Sequence, residues 1–431
     1  MLRAVSVVIH RWVGLSIAAF IFFSGITGAV ISWDHPLDNL LNSHLTKSNT
    51  PGNRLSPFEL IRQVEERYPL ALIRYAVLDP EEGESFVVSV EPRIDPATNK
   101  RAVLGFSQVF LDPVSGEERG KREWGAGWPI TKETFVSWLY RFHYTLHIPE
   151  FWGINTWGQW LFGAVALIWT LDCFVGFYLT LPSRRRASAS RPVAVQRQLS
   201  RGFWARWSPA WQIKTSRSSY RINFDIHRAL GLWTWVLLVM IAFTGCSLNL
   251  EREVFTPVLS LFSKVTPSWY TSRTPTPLDV HIEPRFTHQQ LYDMAVAEAR
   301  RQGITAPAAS IYYDPQYGIG GVDFFERGDD HGATGIGPAS LSFDMLTGQT
   351  AGSRIPWKGT TADVFQQLQF PLHSGRILGQ PGRILISLMG LISAALSVTG
   401  VVIWYRKRRA RAAKAKHASQ PGAVLLGQPA K

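Results

Sequence analysis

The sequence predicts a membrane α-helical fold: a four-helix transmembrane bundle with a two-fold internal repeat, which also carries two α+β extracytoplasmic domains. Three observations predict it: four long apolar segments, basic clusters on one side of them, and a chain that repeats itself. Hydrophobic residues make up 46 % of the 431 residues, yet the mean hydropathy is close to zero. Such an average indicates a mixture of long apolar runs and ordinary polar stretches.

Four segments are apolar over about 20 residues or more, which is the length that spans a bilayer. They are residues 7–33, 156–181, 227–250 and 383–405. The first is too long for the apolar region of a cleavable signal peptide, so we interpret it as a retained helix. The intervening segments 34–154 and 251–381 have ordinary compositions, and each predicts a soluble domain.

Lys and Arg residues cluster in 182–226, between the second and third spans, and in the tail 406–431. Cytoplasmic loops carry such an excess, so these segments and both termini are predicted to be cytoplasmic, with the two soluble domains outside. Topology explains the basic runs without nucleic-acid binding. Membrane lipid is therefore the expected partner of the spans, and nucleic acid is not a partner.

An internal repeat relates the two halves of the chain. Its first element is an opening to the odd-numbered spans, His10-Arg11-Trp12-Val13-Gly14-Leu15 and His227-Arg228-Ala229-Leu230-Gly231-Leu232. Each opening histidine is followed 18 residues later by the glycine of a Thr-Gly pair, Thr27-Gly28 and Thr244-Gly245. Its second element is a Leu-His entry to the even-numbered spans, Leu146-His147 and Leu372-His373.

The two soluble segments also correspond. Each opens with a predicted amphipathic helix, over 57–68 in the first and 287–303 in the second. Alternating apolar residues then predict strands at 85–90, 107–111, 309–313, 321–325 and 340–343. Each set ends in a similar segment, Asp112–Glu117 and Asp344–Gln349, where Asp and Gly favour a tight hairpin turn. Each half is therefore predicted to be a span, an α+β domain and a second span.

Four histidines occupy equivalent positions in the two halves: His10 with His227, and His147 with His373. Two-fold packing would bring each pair face to face, which is how two helix-borne imidazoles ligate haem iron. A single histidine at a membrane end is more often an interfacial anchor, but the pairing favours ligation. His143 lies four residues before His147 and would share its helix face. It stays an alternative ligand, a neighbour of the ligand or a proton donor.

Residues beside these histidines also fit a haem. Gly14 and Gly231 lie about one helical turn after His10 and His227, where a missing side chain would admit a flat macrocycle. Haem propionates need cationic partners, and guanidinium groups bind carboxylates bidentately. The candidates are Arg11, Arg228, Arg141 and Arg376. For the first two, anchoring on the cytoplasmic side is the alternative interpretation.

Other polar and small residues have less specific interpretations. Asp172 lies within the second span, where a carboxylate is costly and indicates either a functional group or a structural hydrogen bond. Four later glycines either admit a macrocycle or let helices pack closely: Gly28, Gly176, Gly245 and Gly400. Six histidines lack counterparts in the repeat and are predicted to be surface residues: His35, His44, His281, His288, His331 and His417.

The ordered set of His-Arg-x-x-Gly-Leu openings, Leu-His entries, Thr-Gly pairs and Asp-x-x-[Ser/Thr]-Gly turns resembles the PepSY-associated transmembrane family of bacterial inner-membrane proteins. The resemblance covers nearly the whole chain. It implies two periplasmic PepSY-like domains and a multi-pass protein of the inner membrane. Some members of the family resemble iron-uptake reductases, so it also implies two haem b groups and reduction of ferric siderophores.

These expectations combine into electron transfer from a cytoplasmic donor to a periplasmic acceptor, ferric siderophore iron. Two haems are expected because the hydrocarbon core is about 30 Å thick, too far for one fast step. The sequence contains no dinucleotide-binding or Walker-type glycine motif, so a separate protein, a soluble reductant or quinol must supply the electrons. We identify no catalytic constellation in either soluble domain. The alternatives are a haem-free module whose domains bind a peptidase or envelope protein, and a haem reductase with another acceptor.

Overall fold

The structure, a computed structural model, describes residues 1–182, 202–268, 272–277, 279–327 and 335–418. Residues 183–201 of the basic loop predicted over 182–226, and residues 419–431 of the tail 406–431, lie outside these residues. The chain divides into two compact units. The helical unit comprises Met1–Gly25, Ile168–Val239 and Leu391–Lys431, and the sheet unit comprises Ile26–Leu167 and Met240–Gly390.

Within the described residues, three helices are long and apolar enough to cross a membrane: Leu2–Ile31, Trp157–Thr180 and Gly379–Ala418. They fall on the first, second and fourth predicted spans. Their apolar stretches exceed the roughly 20 residues that a hydrocarbon core requires. The chain is therefore a membrane-type helical protein with several candidate spans.

The third predicted span, 227–250, is divided in the structure. Helix Ser219–Trp233 is followed by helix Trp235–Asn249, and the two are bent by 71° at Thr234. Both the backbone N–H and the hydroxyl of Thr234 donate to the Leu230 carbonyl, at 3.1 and 2.7 Å. Such a bond bends helices slightly, and here it lies at the break between the two helices. The pair counts as a fourth span only if both helices are taken together.

The remaining helices are short. They are Asp34–Leu41, Ser43–Thr46, Pro57–Arg67, Phe135–Thr145, Phe203–Trp207, Thr256–Leu259, His288–Gln302, Thr361–Gln367 and Gln369–Ser374, with single turns at Ser208–Trp211, Glu251–Phe255 and Arg376–Leu378. Pro57–Arg67 and His288–Gln302 confirm the two predicted amphipathic helices. Each buries apolar residues at helical spacing, Leu60 and Val64 in the first and Leu291 and Ala295 in the second.

Among the described residues, ten strands complete the sheet unit. They are β1 (Ala71–Val77), β2 (Phe86–Pro92), β3 (Ile94–Asp95), β4 (Lys100–Arg101), β5 (Gln108–Leu111), β6 (Glu118–Arg122), β7 (Ala308–Asp314), β8 (Ile319–Phe324), β9 (Ala339–Asp344) and β10 (Thr350–Arg354). Eight of them form one antiparallel sheet in the order β10-β9-β8-β7-β1-β2-β5-β6, and β3 pairs with β4. The five predicted strands are confirmed as β2, β5, β7, β8 and β9.

The two expected α+β domains share this one sheet. Strand β1 from the first half pairs with β7 from the second, with Tyr75 opposite Tyr312 and Ala76 opposite Ile311. Tyr75 and Tyr312 are each the fifth residue of a seven-residue strand, so the two halves meet about a local two-fold relation. One apolar core runs along the joined sheet and includes residues from both halves. The pairing covers two strand edges that separate domains would expose.

The two Asp-x-x-[Ser/Thr]-Gly segments form hairpin turns, as predicted. In the β5–β6 turn, Asp112 Oδ1 accepts hydrogen bonds of 2.9 Å from the backbone N–H groups of Val114 and Ser115. Asp344 makes the same two bonds in the β9–β10 turn. Gly116 and Gly348 have φ of 73° and 75°, the left-handed region that favours glycine.

Asp112 also anchors the segment before the first amphipathic helix. Its Oδ2 accepts from the Ser48 hydroxyl at 2.6 Å and from the Thr50 hydroxyl. Burial alone would raise the pKa of Asp112, but these hydroxyl bonds and the two backbone bonds hold it well below its usual range. The ionised carboxylate is therefore the form that the fold stabilises.

We expect Asp112→Asn to lower the free energy of unfolding by about 1–3 kcal/mol, because an amide cannot accept all four hydrogen bonds. Thermal unfolding of the detergent-solubilised protein, followed by tryptophan fluorescence, measures the loss. Because the folded pKa is depressed, the stabilisation is complete above the unfolded value of about 3.9 and is lost progressively as the pH falls from there through the folded pKa. The difference between the two proteins should therefore shrink in acid.

Glu117→Gln is the matched control, since Glu117 is an exposed carboxylate in the same turn. Its melting temperature should stay within about 1 °C of the wild-type value, as for most surface substitutions. Equal melting temperatures for Asp112→Asn and Glu117→Gln would contradict the anchoring role.

Paired histidines as the candidate functional site

His10 and His227 face each other in the helical unit. Their ring centres are 6.3 Å apart and their planes are inclined by 55°. His10 Nδ1 lies 2.9 Å from Asp172 Oδ2. His227 Nδ1 lies 2.9 Å from Thr399 Oγ1. The two rings predicted to pair at this position are thus brought together, and each is held by a residue of another helix.

His143 and His373 form an equivalent pair in the sheet unit. Their ring centres are also 6.3 Å apart, and their planes are inclined by 53°. His143 Nδ1 lies 3.0 Å from Thr27 Oγ1, and His373 Nδ1 lies 2.9 Å from Thr244 Oγ1. Both threonines belong to the Thr-Gly pairs of the repeat. The two pairs therefore share a ring separation, and each ring is bonded through Nδ1 to a residue of another helix.

The expectation that His147 faces His373 is wrong for this structure, and His143 takes that position. Helix Phe135–Thr145 ends before His147, which has a left-handed backbone with φ of 52°. Its ring stacks on Trp138, and its Nε2 lies 3.0 Å from the Trp138 carbonyl oxygen. Burial lowers the pKa of His147. Pro149 was the missed signal, because helices usually end before the residue preceding a proline.

The threonines determine which ring nitrogen carries the proton. Thr244 donates its hydroxyl to the Met240 carbonyl at 2.7 Å, and Thr399 donates to the Ala395 carbonyl at 2.8 Å. With its one proton used, each hydroxyl can only accept from the facing imidazole. His373 and His227 are then protonated at Nδ1, which leaves the Nε2 lone pair for a metal. Burial also lowers the pKa of His373 to about 4, so its ring stays neutral.

The later glycines of the spans lie against the paired rings. A Cβ added at Gly28 would lie 2.9 Å from His143 Cε1, and one at Gly400 would lie 3.2 Å from His227 Cε1. A Cβ added at Gly176 would lie 3.3 Å from His10 Cε1, and one at Gly245 would lie 3.5 Å from His373 Cε1. These glycines therefore clear space for imidazoles. Added Cβ atoms at Gly14 and Gly231 would meet nothing within 4 Å, so the helix faces beside His10 and His227 are open.

The four candidate arginines differ in their partners. Arg11 lies over the Trp12 ring, and its buried Nε has no hydrogen-bond partner among the described residues. Arg228 donates to Asp225 at 2.9 Å and to the Pro209 carbonyl. The other two have protein contacts near the second histidine pair: Arg141 with the Gly125 carbonyl at 3.3 Å, and Arg376 with Asp34 at 3.7 Å.

Two of the remaining histidines are not surface residues. The His281 side chain is only 2 % exposed and the His288 side chain 15 %, and burial lowers the pKa of His288 to about 4. His35 and His44 are exposed, as predicted. His331 and the side chain of His417 lie outside the described residues. In the part of the chain that the structure describes, no group of three or more His, Cys, Asp or Glu could hold a metal ion.

Comparison with known proteins finds one match of broad coverage. The family described as the PepSY-associated TM region matches residues 7–407. No curated protein matches the chain. The matched region includes both histidine pairs, all their hydrogen-bond partners and the whole sheet unit.

Gly28→Ala tests how closely the His143 ring packs against the helix backbone at Gly28. The new methyl group should displace His143 and its bond to Thr27, with a loss of about 1–3 kcal/mol in unfolding free energy, as for overpacked sites. Gly245→Ala is the matched control, because its methyl group would make an ordinary contact with His373. Thermal unfolding of both variants measures the difference. Similar melting temperatures would contradict the close seating of His143.

Proposed function

Because the chain belongs to the PepSY-associated TM region family, we propose that it is a di-haem b oxidoreductase that passes electrons across a bacterial inner membrane. The proposed acceptor is ferric iron held in a siderophore on the periplasmic side. One observation carries the proposal: two separate pairs of imidazoles, each with ring centres 6.3 Å apart.

This separation fits axial ligation of one iron by two imidazoles. A metal–imidazole bond is about 2 Å long and the bonding nitrogen lies about 1 Å from its ring centre, so the two centres should be roughly 6 Å apart. Each pair supplies only two ligands, too few for a metal ion held by protein alone. A porphyrin would supply the equatorial nitrogens. His10 with His227 would hold one haem, and His143 with His373 the other.

The residues around each pair would prepare the imidazoles before the cofactor binds. Thr244 and Thr399 accept the Nδ1 protons, so Nε2 would be the nitrogen that binds iron. Glycines beside the rings let them lie close to the helix backbones. The open face at Gly14 and Gly231 would admit a flat macrocycle beside His10 and His227.

The arginines divide by the partners they already have. The Nε of Arg11, which has no hydrogen-bond partner among the described residues, would gain a propionate. At the other three arginines a propionate would have to compete with protein contacts: Asp225 and the Pro209 carbonyl at Arg228, the Gly125 carbonyl at Arg141 and Asp34 at Arg376. We therefore propose Arg11 as the strongest propionate partner.

When bound, each haem would supply a one-electron carrier. One electron converts ferric to ferrous iron, which hard oxygen ligands hold less tightly, so the siderophore would release it. The electron donor is proposed to be a separate cytoplasmic protein, a soluble reductant or quinol. In this proposal both termini are cytoplasmic and the sheet unit carries the periplasmic PepSY-like domains.

The haem content of purified variants tests the ligands. Wild-type protein expressed with ample haem should show a Soret band, a reduced α-band and about two haems per chain by pyridine haemochrome assay. His143→Ala should lower the content to about one haem, because it removes a ligand of one pair only. His10→Ala should do the same for the other pair.

His147→Ala is the matched control, four residues from His143 and stacked on Trp138 instead of facing His373. It should retain both haems. A colourless wild-type protein would refute the haem proposal and leave the haem-free module. Loss of haem in His147→Ala with retention in His143→Ala would reverse the ligand assignment.

Re-oxidation of the reduced protein tests the acceptor. After anaerobic reduction, a ferric hydroxamate or catecholate siderophore should restore the oxidised spectrum, with one ferric ion consumed per electron. The gallium complex of the same siderophore is the control, since it binds similarly but cannot accept the electron. Unchanged spectra with every ferric siderophore, in a protein that holds haem, would point to another class of acceptor.

A further inference from the structure

The four paired histidines do not have equivalent hydrogen-bond partners. Three of them bond through Nδ1 to a threonine hydroxyl, and His10 alone bonds to a carboxylate. The three threonines each directly precede the glycine that lies against the same ring: Thr27-Gly28, Thr244-Gly245 and Thr399-Gly400. This Thr-Gly arrangement is thus the rule, and the His10 position departs from it.

The departure is local and specific. Gly176 lies against His10 as the other glycines lie against their histidines, but the residue before it is Val175, which offers no acceptor. Asp172, about one helical turn earlier, supplies the acceptor instead. The equivalent residue in the second half, four before Gly400, is the apolar Leu396. One of four otherwise similar sites has therefore exchanged a hydroxyl for a carboxylate.

The carboxylate is held in a protected environment. The Asp172 side chain is 8 % exposed, and its second oxygen, Oδ1, is buried with no hydrogen-bond partner among the described residues. A carboxylate within a span is costly and is rarely kept without a role. Its strongest contact is the 2.9 Å bond to His10. The charge is therefore directed at one imidazole.

A carboxylate changes what an imidazole can do to a metal. It attracts the Nδ1 proton more strongly than a hydroxyl, which makes Nε2 a stronger donor to the metal. Its negative charge also stabilises the more positive, oxidised state of a nearby centre. Both effects act in the same direction, and neither operates at the pair held by Thr27 and Thr244.

We propose that Asp172 is a positioning residue that lowers the reduction potential of the centre ligated by His10 and His227 below that of the centre ligated by His143 and His373. This inference rests on the proposed haem function. It assigns a direction to that function, because electrons move spontaneously from the lower to the higher potential. The His10 pair would be the entry side and the His143 pair the exit side.

Redox titration followed by haem absorbance tests the inference. The double variant Asp172→Ala/Val175→Thr restores the Thr-Gly arrangement beside His10. It should raise the lower of the two potentials by about 59 mV or more, a tenfold change in the one-electron equilibrium constant, and leave the higher one unchanged. Titration in a His143→Ala background, which keeps only the His10 pair, assigns the potential that moves.

Thr244→Asp is the reciprocal variant, and it keeps the test decisive if the double variant does not fold. It places a carboxylate beside His373 and should lower the higher potential. Low-spin ferric electron paramagnetic resonance should show a matching change in the g values of the altered centre only. A structural role for Asp172 would move neither the potential nor these g values.

The outcomes separate the two proposals. Suppose the variants hold two haems and each potential shifts by less than a twofold change in the one-electron equilibrium constant. Asp172 then has no tuning role, while the haem proposal stands. If the wild-type protein binds no haem, the proposed function fails and this inference fails with it.

Discussion

A buried imidazole must have its Nδ1 proton accepted, and this one requirement organises the helices around both histidine pairs. An N–H donor without an acceptor in an apolar interior costs free energy. Each ring therefore needs an oxygen at a fixed position along a neighbouring helix. The same bond chooses the tautomer and points Nε2 away from the supporting helix. A glycine beside the acceptor is then needed, because the Cε1 atom of the ring lies close to the backbone there. The Thr-Gly pairs are the sequence record of that requirement.

The repeat let three of the four facing histidines be predicted from sequence: His10, His227 and His373. The fourth failed because a matching dipeptide, Leu146-His147, outweighed the helix boundary that Pro149 imposes. The repeated Leu-His dipeptide located the right segment. The end of helix Phe135–Thr145 determines that His143, and not His147, faces His373. The hydrogen-bond acceptors were recognised only as repeated Thr-Gly pairs, since a sequence does not reveal which helix a hydroxyl faces.

The sequence predicted the rest of the fold only in part, for similar reasons. Five strands with buried faces were predicted, but β1 was missed although it is also buried. Strands β6 and β10, at the two ends of the sheet, have polar sequences that carry little alternation. The bend at Thr234 lies inside an apolar run that carries no signal of a break. The union of the two halves in one sheet depends on pairing between strands more than 230 residues apart, for which no local pattern exists.

The β1–β7 junction also bears on the origin of the chain. Two copies of a half-length ancestor could have paired through this same strand, Tyr75 of one opposite its counterpart in the other, as a symmetric homodimer does. Such a homodimer would carry identical residues at both imidazoles of every pair. In this chain that identity is absent, because Asp172 occupies the position that Leu396 has in the second half. The two imidazoles of the pair His10 and His227 therefore have unlike neighbours, which two identical halves could not provide.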